Sequence, residues 1–339
     1  MIAEAGVNHN GSAKLALQLV EVAARCGADA VKFQSFSADK LVRRGAAKAA
    51  YQEQATGGGD QHSMLKALEM SEALHRDLYD RCGEVGIEFM STPFDEEAAD
   101  FLVGLGMRRL KVPSGEITNH PFLRFLAAKD RPLILSTGMA TLAEIEQAVE
   151  LIRGERARLG LSGALAEVLS VLHCTSNYPA AADDVNLRAM QTIALATGLP
   201  VGYSDHTRGI AVSTAAVALG ATVIEKHFTL DTGLPGPDHQ ASLSPPELAE
   251  LIAQIRVVER ALGSPVKEPT AAELPIRSLV RRSVTTRRDL AAGAILGADD
   301  VCLLRPGTGI EPRDLEAVRG RTLRAAVPAG TTLHWEDLA

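Results

Sequence analysis

The chain has few aromatic residues. Phe, Trp and Tyr make up 4% of its 339 residues, whereas hydrophobic residues reach 46%. Its core must therefore be built from Ala, Val, Leu and Ile, as suits a parallel α/β interior. Cysteine is scarce too. The four present, Cys26, Cys82, Cys174 and Cys302, are widely scattered. They fit neither a zinc spacing nor a disulfide framework, which predicts a reducing, cytoplasmic setting. There is no excess of positive charge. A net charge of −7 argues against nucleic acid or an anionic membrane as partner. No apolar stretch approaches the ~20 residues of a membrane span. Nor do the first residues show a basic segment followed by an apolar one, as a secretory leader would.

What is present is a regular alternation of strand and helix patterns. Strands are predicted at 2–7, 30–34, 88–93, 109–115, 132–138, 168–175, 200–206 and 223–229. Amphipathic helices are predicted between them, at 13–26, 72–85, 142–153, 208–219 and 245–262. Thr141-Leu-Ala-Glu144 and Ser244-Pro-Pro-Glu247 read as capping boxes, the second with Pro at the first helical position. Eight β–α units in about 262 residues predict a TIM (β/α)8 barrel. A doubly wound open sheet is the alternative, but no Gly-rich dinucleotide turn follows the first strand.

The pattern changes after Gly263. Residues 264–275 hold three prolines and no periodicity, and read as a linker between a barrel at 1–263 and a small, mainly β domain at 276–339. Short strands are predicted there at 283–286, 301–304 and 323–327. The second β–α connection, 35–70, is long, carries Gly57-Gly58-Gly59 and has few apolar anchors. It reads as an active-site loop above the barrel.

Barrel chemistry sits at the C-terminal ends of the strands. Those ends are polar here: Glu4 and Asn8-His9-Asn10-Gly11; Lys32 and Gln34; Ser91-Thr92; Lys111 and Ser114-Gly115-Glu116; Ser136-Thr137-Gly138; His173-Cys174-Thr175 and Tyr178; Ser204-Asp205-His206; Glu225 and His227. Interior charges are costly unless paired or solvated, so this ring implies a polar cavity and not a dry plug. His206 and His227 end adjacent strands, with acids nearby. Such a pair suits a borderline divalent cation such as Mn²⁺, Zn²⁺ or Co²⁺. Two lysines among Ser and Thr hydroxyls suit a phosphate or carboxylate anion. Lys32 and Lys111 also read as buried ion-pair partners of Glu4 and Glu116. Asp238, on the Pro- and Gly-stiffened loop after the eighth strand, suits a substrate hydroxyl. His173 reads as structural, and Cys174 as a buried small hydrophobe.

Nine motifs, in order, extend this reading. They are Glu4-Ala-Gly-Val-Asn-His-Asn-Gly11, Val31-Lys-Phe-Gln34, Ser91-Thr-Pro-Phe94, Pro113-Ser-Gly-Glu116, Leu135-Ser-Thr-Gly-Met139, Leu172-His-Cys-Thr175, Ser204-Asp-His-Thr207, Glu225-Lys-His-Phe228 and Gly236-Pro-Asp238. Together they resemble the sialic acid synthase (N-acetylneuraminate synthase) family, which includes legionaminic and pseudaminic acid synthases. Leu304-Arg-Pro-Gly-Thr-Gly309 resembles the antifreeze-like (SAF) domain of the same enzymes. The resemblance implies a condensation of phosphoenolpyruvate with N-acetylmannosamine or a related 2-acetamido sugar. The product is a nine-carbon 2-keto acid, and phosphate is released. It implies Mn²⁺ on His206 and His227, with Mg²⁺ or Co²⁺ as alternatives. It assigns Lys111, Ser114, Ser136, Thr92 and Ser204 to phosphoenolpyruvate, and Glu116, Tyr178 and Asp238 to the sugar. Lys32 and Gln34 are placed near the reacting centre, with Glu4 and Glu225 on the metal side for proton transfer. Arg305 is expected to reach a partner's barrel in a domain-swapped homodimer. Ser176-Asn177 departs from some members, on the sugar side. A legionaminic-type synthase using a 2,4-diacetamido-2,4,6-trideoxy sugar is the nearer rival, and a Schiff-base aldolase on Lys32 or Lys111 is a mechanistic one. An amidohydrolase would want His-x-His on the first strand. An ice- or glycan-binding role would want a regular Thr array. Neither pattern is present.

Overall fold

The computed structural model describes residues 1–339. Eight parallel strands form the first unit: β1 (Ile2–Gly6), β2 (Ala30–Ser35), β3 (Glu88–Pro93), β4 (Leu110–Val112), β5 (Leu133–Ser136), β6 (Leu169–Cys174), β7 (Val201–Asp205) and β8 (Ile224–His227). Fourteen helices run in chain order: α1 (Ala13–Arg25), α2 (Ala38–Leu41), α3 (Ala50–Thr56), α4 (Gln61–Lys66), α5 (Glu72–Val85), α6 (Glu96–Leu105), α7 (His120–Ala127), α8 (Leu142–Arg158), α9 (Leu165–Val168), α10 (Ala189–Thr197), α11 (Ala211–Ala218), α12 (Pro245–Leu262), α13 (Glu273–Val280) and α14 (Leu315–Val318). Hydrogen-bonded strand order is β3-β2-β1-β8-β7-β6-β5-β4, so β1 and β8 pair and the sheet curls into a barrel. The seam lies between β3 and β4. There the backbone N–H of Ser91 points at the thioether of Met107, 3.1 Å away, and makes no ladder bond to β4.

Strand parity sorts the side chains. In β1 to β8, one set (Ala3, Val31, Phe33, Phe89, Leu110, Val112, Leu135, Val171, Tyr203, Ile224) faces the helices and forms the main core. The alternate set fills the barrel. Ile2, Ala30, Met90, Ile134 and Leu172 make an apolar floor. The next residue of the same parity on several strands is polar: Glu4, Lys32, Thr92 and Ser136. The same side-chain alternation therefore builds a greasy bottom and a charged mouth. The helices start where their caps dictate. Thr141 Oγ1 accepts from the Glu144 backbone N–H while Glu144 accepts from the Thr141 backbone N–H, at 2.7 Å; Glu247 caps Ser244 in the same way, at 2.8 Å.

Several expectations need correction. The fourth strand stops at Val112, because Ser114–Glu116 winds into a 3₁₀ turn. The helix after β7, α11, begins at Ala211 and not at Arg208. The 35–70 connection is not poorly anchored. It carries α2, α3 and α4 and buries Phe36 and Leu68 beside Val7. Its internal helices supply backbone hydrogen bonds that a structureless loop would leave unmet.

Ser264–Ala339 forms a second compact unit. The expected linker 264–275 does not stay irregular, since α13 starts inside it at Glu273 with Thr270 capping its backbone. The unit's sheet has two strands only, β9 (Ser283–Thr286) antiparallel to β10 (Val301–Leu304). The strand expected at 323–327 is reduced to isolated bridges, Leu323 to Leu338 and Leu290 to Val327. Val284, Leu290, Leu296, Val301, Ile310, Val318, Leu323 and Leu333 form its own small core.

One buried ion pair ties β7 to β8. Lys226 Nζ lies 2.9 Å from Asp205 Oδ2, and both side chains are fully buried. The pair is in strand register, and Asp205 also accepts from Ser213 Oγ and from the Thr207 backbone N–H. Lys226→Met should destabilise the fold by about 3–5 kcal/mol, because it leaves Asp205 charged and uncompensated in the interior. A urea midpoint close to that of the unmutated protein would contradict this.

Candidate active site

The barrel mouth is built from strand ends. Gly6, at φ +51°, kinks the end of β1, and the β1–β2 register shifts there. Glu4, His227 and Asp238 gather round it. A Cβ on Gly6 would stand 3.3 Å from His227 Cε1, 3.4 Å from Glu4 Oε1 and 3.5 Å from Asp238 Oδ2. Asn8 fastens the same corner by donating to the Phe228 carbonyl and to Ser242 Oγ.

A charged network occupies the centre. Lys32 Nζ is 2.7 Å from Glu4 Oε2 and 3.7 Å from Glu225 Oε2, and donates to Thr92 Oγ1 at 2.9 Å. Lys111 Nζ donates to Glu225 Oε1 at 3.0 Å, and Ser204 Oγ donates to the same oxygen at 3.1 Å. Gln34 Nε2 approaches Glu4 Oε1 at 3.4 Å. All but Gln34 are buried. Burial alone would raise the Glu225 pKa, but Lys111 and Lys32 outweigh it and hold the carboxyl at about 2. Burial pushes Glu4 up to about 7, opposed by Lys32 and reinforced by the charge on Glu225. Burial would lower the Lys32 pKa, but Glu225 and Glu4 reverse this and raise it. Two lysines thus face Glu225, which stays a carboxylate, and Glu4, whose carboxyl burial leaves poised near neutrality, an arrangement that suits an anion.

The two histidines stand beside this network. Their ring centroids are 5.5 Å apart. Burial lowers the His206 pKa to about 4 and takes His227 well below its usual value. Both are therefore neutral imidazoles with a lone pair to offer. His206 Nδ1 donates to the Thr175 carbonyl at 2.7 Å, which leaves Nε2 as the basic nitrogen. His227 Nδ1 is buried without a hydrogen-bond partner, and the nearest acid oxygen, Asp238 Oδ2, is 3.9 Å away. No third His, Cys, Asp or Glu joins them in a ligand cluster. The pair fits a cation held by two protein ligands with open positions. Burial lifts the Asp238 pKa to about 6.

Further residues line the rim. The Tyr178 ring lies 4.1 Å from the His206 ring and 5.6 Å from the His227 ring. Ser114 Oγ accepts from the Gly138 backbone N–H at 3.0 Å and meets Cys174 Sγ at 3.2 Å. Ser136 Oγ and His227 Nδ1 are buried without a hydrogen-bond partner, and Glu225 Oε2 has only Lys32 Nζ, at 3.7 Å. Buried polar atoms are seldom left without partners, so such a concentration at one mouth marks a place shaped for a polar ligand. Burial raises the Cys174 pKa, which keeps it a thiol and suits the small-hydrophobe reading. His173 bonds the Val185 carbonyl at 2.7 Å, a structural role.

The structure brings most of the sequence-predicted residues together, with three exceptions. Lys111 pairs with Glu225 and not with Glu116, whose carboxylate accepts from Asn119 at 2.6 Å on the turn after β4. Asp205 is not an acid beside the imidazoles. Strand parity turns it outward to Lys226, which sequence reading missed although the period-2 rule carried the signal. Arg305 is exposed on the second unit. Tyr51 of α3, which the sequence pattern leaves without a role, stacks its ring on Tyr178 at 5.2 Å.

The fold and site define a (β/α)8-barrel enzyme whose mouth joins paired neutral imidazoles to a lysine–carboxylate cluster. Residues 19–267 match the NeuB family model and residues 281–339 the SAF domain. The chain belongs to the NeuB family, and is a transferase of the sugar-acid synthase type. It is 54% identical over 339 residues to the N,N′-diacetyllegionaminic acid synthase of Legionella pneumophila, covering 100% of this chain and 94% of that one. It is 36% identical to the N-acetylneuraminate-9-phosphate synthase of Homo sapiens, covering 99% of this chain and 91% of the relative. A crystal structure of N-acetylneuraminic acid synthetase from Leptospira borgpetersenii, in complex with citrate, superimposes with a TM-score of 0.70. The two are 34% identical, over 81% of this chain and 88% of that one.

His9 makes the interior sensitive to acid. Its Nδ1 accepts from the Gly11 backbone N–H at 3.0 Å, and burial, aided by His75, lowers its pKa to about 4. The folded state therefore binds fewer protons than the unfolded one between pH 6.5 and 4, and stability falls as pH drops through that window. The His9 contribution should be about 2 kcal/mol between pH 7 and 5. Urea midpoints at the two pH values should show a shallower loss in His9→Gln; an unchanged slope would refute the assignment.

Proposed function

We propose that this protein condenses phosphoenolpyruvate with a 2,4-diacetamido-2,4,6-trideoxy sugar to give an N,N′-diacetyllegionaminic-type acid and phosphate. The observation that carries the choice of sugar is the 54% identity, along the whole chain, to the Legionella synthase. N-acetylmannosamine, giving N-acetylneuraminate, is the second reading, favoured by the 36% identity to the human enzyme. In the reaction, C3 of phosphoenolpyruvate bonds to the open-chain aldehyde carbon and water adds at C2. The C2–O bond to phosphate breaks, so three reactants become a nine-carbon 2-keto acid and inorganic phosphate.

The site chemistry supports this division of labour. Lys111, Ser114, Ser136, Thr92 and Ser204 would bind the phosphoenolpyruvate anion, drawn by the lysines of the cluster. Lys32 and Gln34 would hold the reacting centre. Glu4, with a pKa near neutrality, can give or take a proton, whereas Glu225 stays ionised between two lysines and serves as their counter-charge. Glu116, Tyr178 and Asp238 would bind the sugar. Mn²⁺ on His206 and His227, with Mg²⁺ or Co²⁺ as substitutes, would supply Lewis-acid polarisation of the aldehyde. A Schiff-base mechanism fits less well. It needs a neutral amine, and Lys32 is held protonated by two carboxylates. The second unit exposes Arg305, and α13 exposes Leu274, Ile276, Leu279 and Val280. These features support a domain-swapped homodimer in which Arg305 serves the other protomer's sugar site. Four free thiols suit the cytoplasm, and no helix is long and apolar enough to cross a membrane.

Phosphate release should require phosphoenolpyruvate, the diacetamido sugar and Mn²⁺ together. His206→Ala should lower kcat/KM roughly 100-fold or more, as loss of Lewis-acid stabilisation would. Faster turnover of N-acetylmannosamine would move the assignment to N-acetylneuraminate; no release with any such sugar would end it. Arg305→Ala should raise the sugar KM or lower kcat with little change in the phosphoenolpyruvate KM, and wild-type kinetics would refute the swapped arm.

A further inference from the structure

The helix α3 belongs to the long connection after β2, and none of its residues is buried. It is held mostly by its own surroundings. Lys48 Nζ donates to Thr56 Oγ1 at 2.9 Å and to the carbonyls of Gly57 and Gly58 at 2.9 and 3.1 Å, closing the C-terminal end. Gln52 Oε1 accepts from the Ala49 backbone N–H and closes the other end. A helix secured in this way does not need an aromatic anchor, yet it lays one ring on the active site. Tyr51 stacks on Tyr178 at 5.2 Å with 29° between the planes. Tyr178 in turn covers His206 at 4.1 Å and meets His227 edge-on. Ala55 and Thr56 of α3 line a cavity of about 540 Å³ together with Pro235 and Pro237, in the loop that carries Asp238.

We propose that Tyr51 is a specificity-determining residue for the sugar, its ring forming an apolar wall beside Tyr178 at the mouth. The inference rests on the reaction proposed above and adds the feature that selects among sugars. Relative to N-acetylmannosamine, a 2,4-diacetamido-2,4,6-trideoxy sugar exchanges the C4 hydroxyl for an acetamido group and the C6 hydroxyl for hydrogen, which leaves a C6 methyl. Aromatic faces reward such apolar groups and gain less from the hydroxyls of N-acetylmannosamine. Phosphoenolpyruvate lies with the lysines at the barrel centre and does not need the ring.

The test compares steady-state kinetics of the full-length protein with both sugars, at saturating phosphoenolpyruvate and Mn²⁺. Tyr51→Ala should raise the KM of the diacetamido sugar roughly three- to tenfold, the worth of one aromatic contact, and that of N-acetylmannosamine less. The phosphoenolpyruvate KM should not move with it. Tyr51→Phe should restore most of the lost discrimination, since the ring face and not the hydroxyl carries it. Equal KM changes for both sugars, a parallel rise for phosphoenolpyruvate, or a Tyr51→Phe variant as impaired as Tyr51→Ala would overturn the proposal. If the unmutated protein releases no phosphate with any sugar, the reaction fails and this inference falls with it. If it turns over the sugars and Tyr51→Ala leaves both KM values unchanged, only this inference fails.

Discussion

Charge buried at the barrel mouth is the constraint on which the rest depends. Taking an ammonium or a carboxylate out of water costs several kcal/mol, so each must meet a counter-charge at close range. Lys32 meets both Glu4 and Glu225, and Lys111 meets Glu225, within a space closed by neighbouring strands. The arrangement does not balance evenly. Glu225 takes most of the positive field and stays ionised, while Glu4 is left poised near neutrality. Two lysines and a carboxyl that can exchange a proton are what an anionic co-substrate and a carbon–carbon condensation require.

The scaffold makes this tolerable by separating two jobs that strand parity keeps apart. On β7 and β8 the outward residues Asp205 and Lys226 form a dry staple, fully satisfied by Thr207 and Ser213. The residues before and after them, Ser204, His206, Glu225 and His227, belong to the mouth. The staple and the chemistry alternate along the same two strands. Rigidity next to the imidazoles therefore comes from a pair that never touches the cavity. Beneath the charges, Ile2, Met90, Ile134 and Leu172 close the barrel with an apolar floor that keeps water from entering from below.

Much of this was legible in the sequence because period-2 and 3.6 patterns are local. β3, α5 and α12 fall where their patterns end, and β9 and β10 do likewise. Errors arose where local pattern met a tertiary demand. Ser114–Glu116 leaves the strand to form a turn. The 35–70 segment hides three short helices because each is too brief to show a period. The 323–327 run pairs through single bridges. Asp205 was grouped with the imidazoles by adjacency in sequence, although alternate side chains in a strand must face opposite sides.

By itself the sequence determined the eight-fold alternation and the polar strand ends, and its ordered motifs pointed to the family. All of these are carried by residue type and spacing. Only the tertiary structure decided which charges pair. Lys111 chose Glu225 over Glu116 because barrel closure places β4 and β8 across one interior, a proximity that no sequence separation of 114 residues announces. It also decided that Tyr51 lies on Tyr178, since that stacking depends on how a surface helix folds back over the mouth.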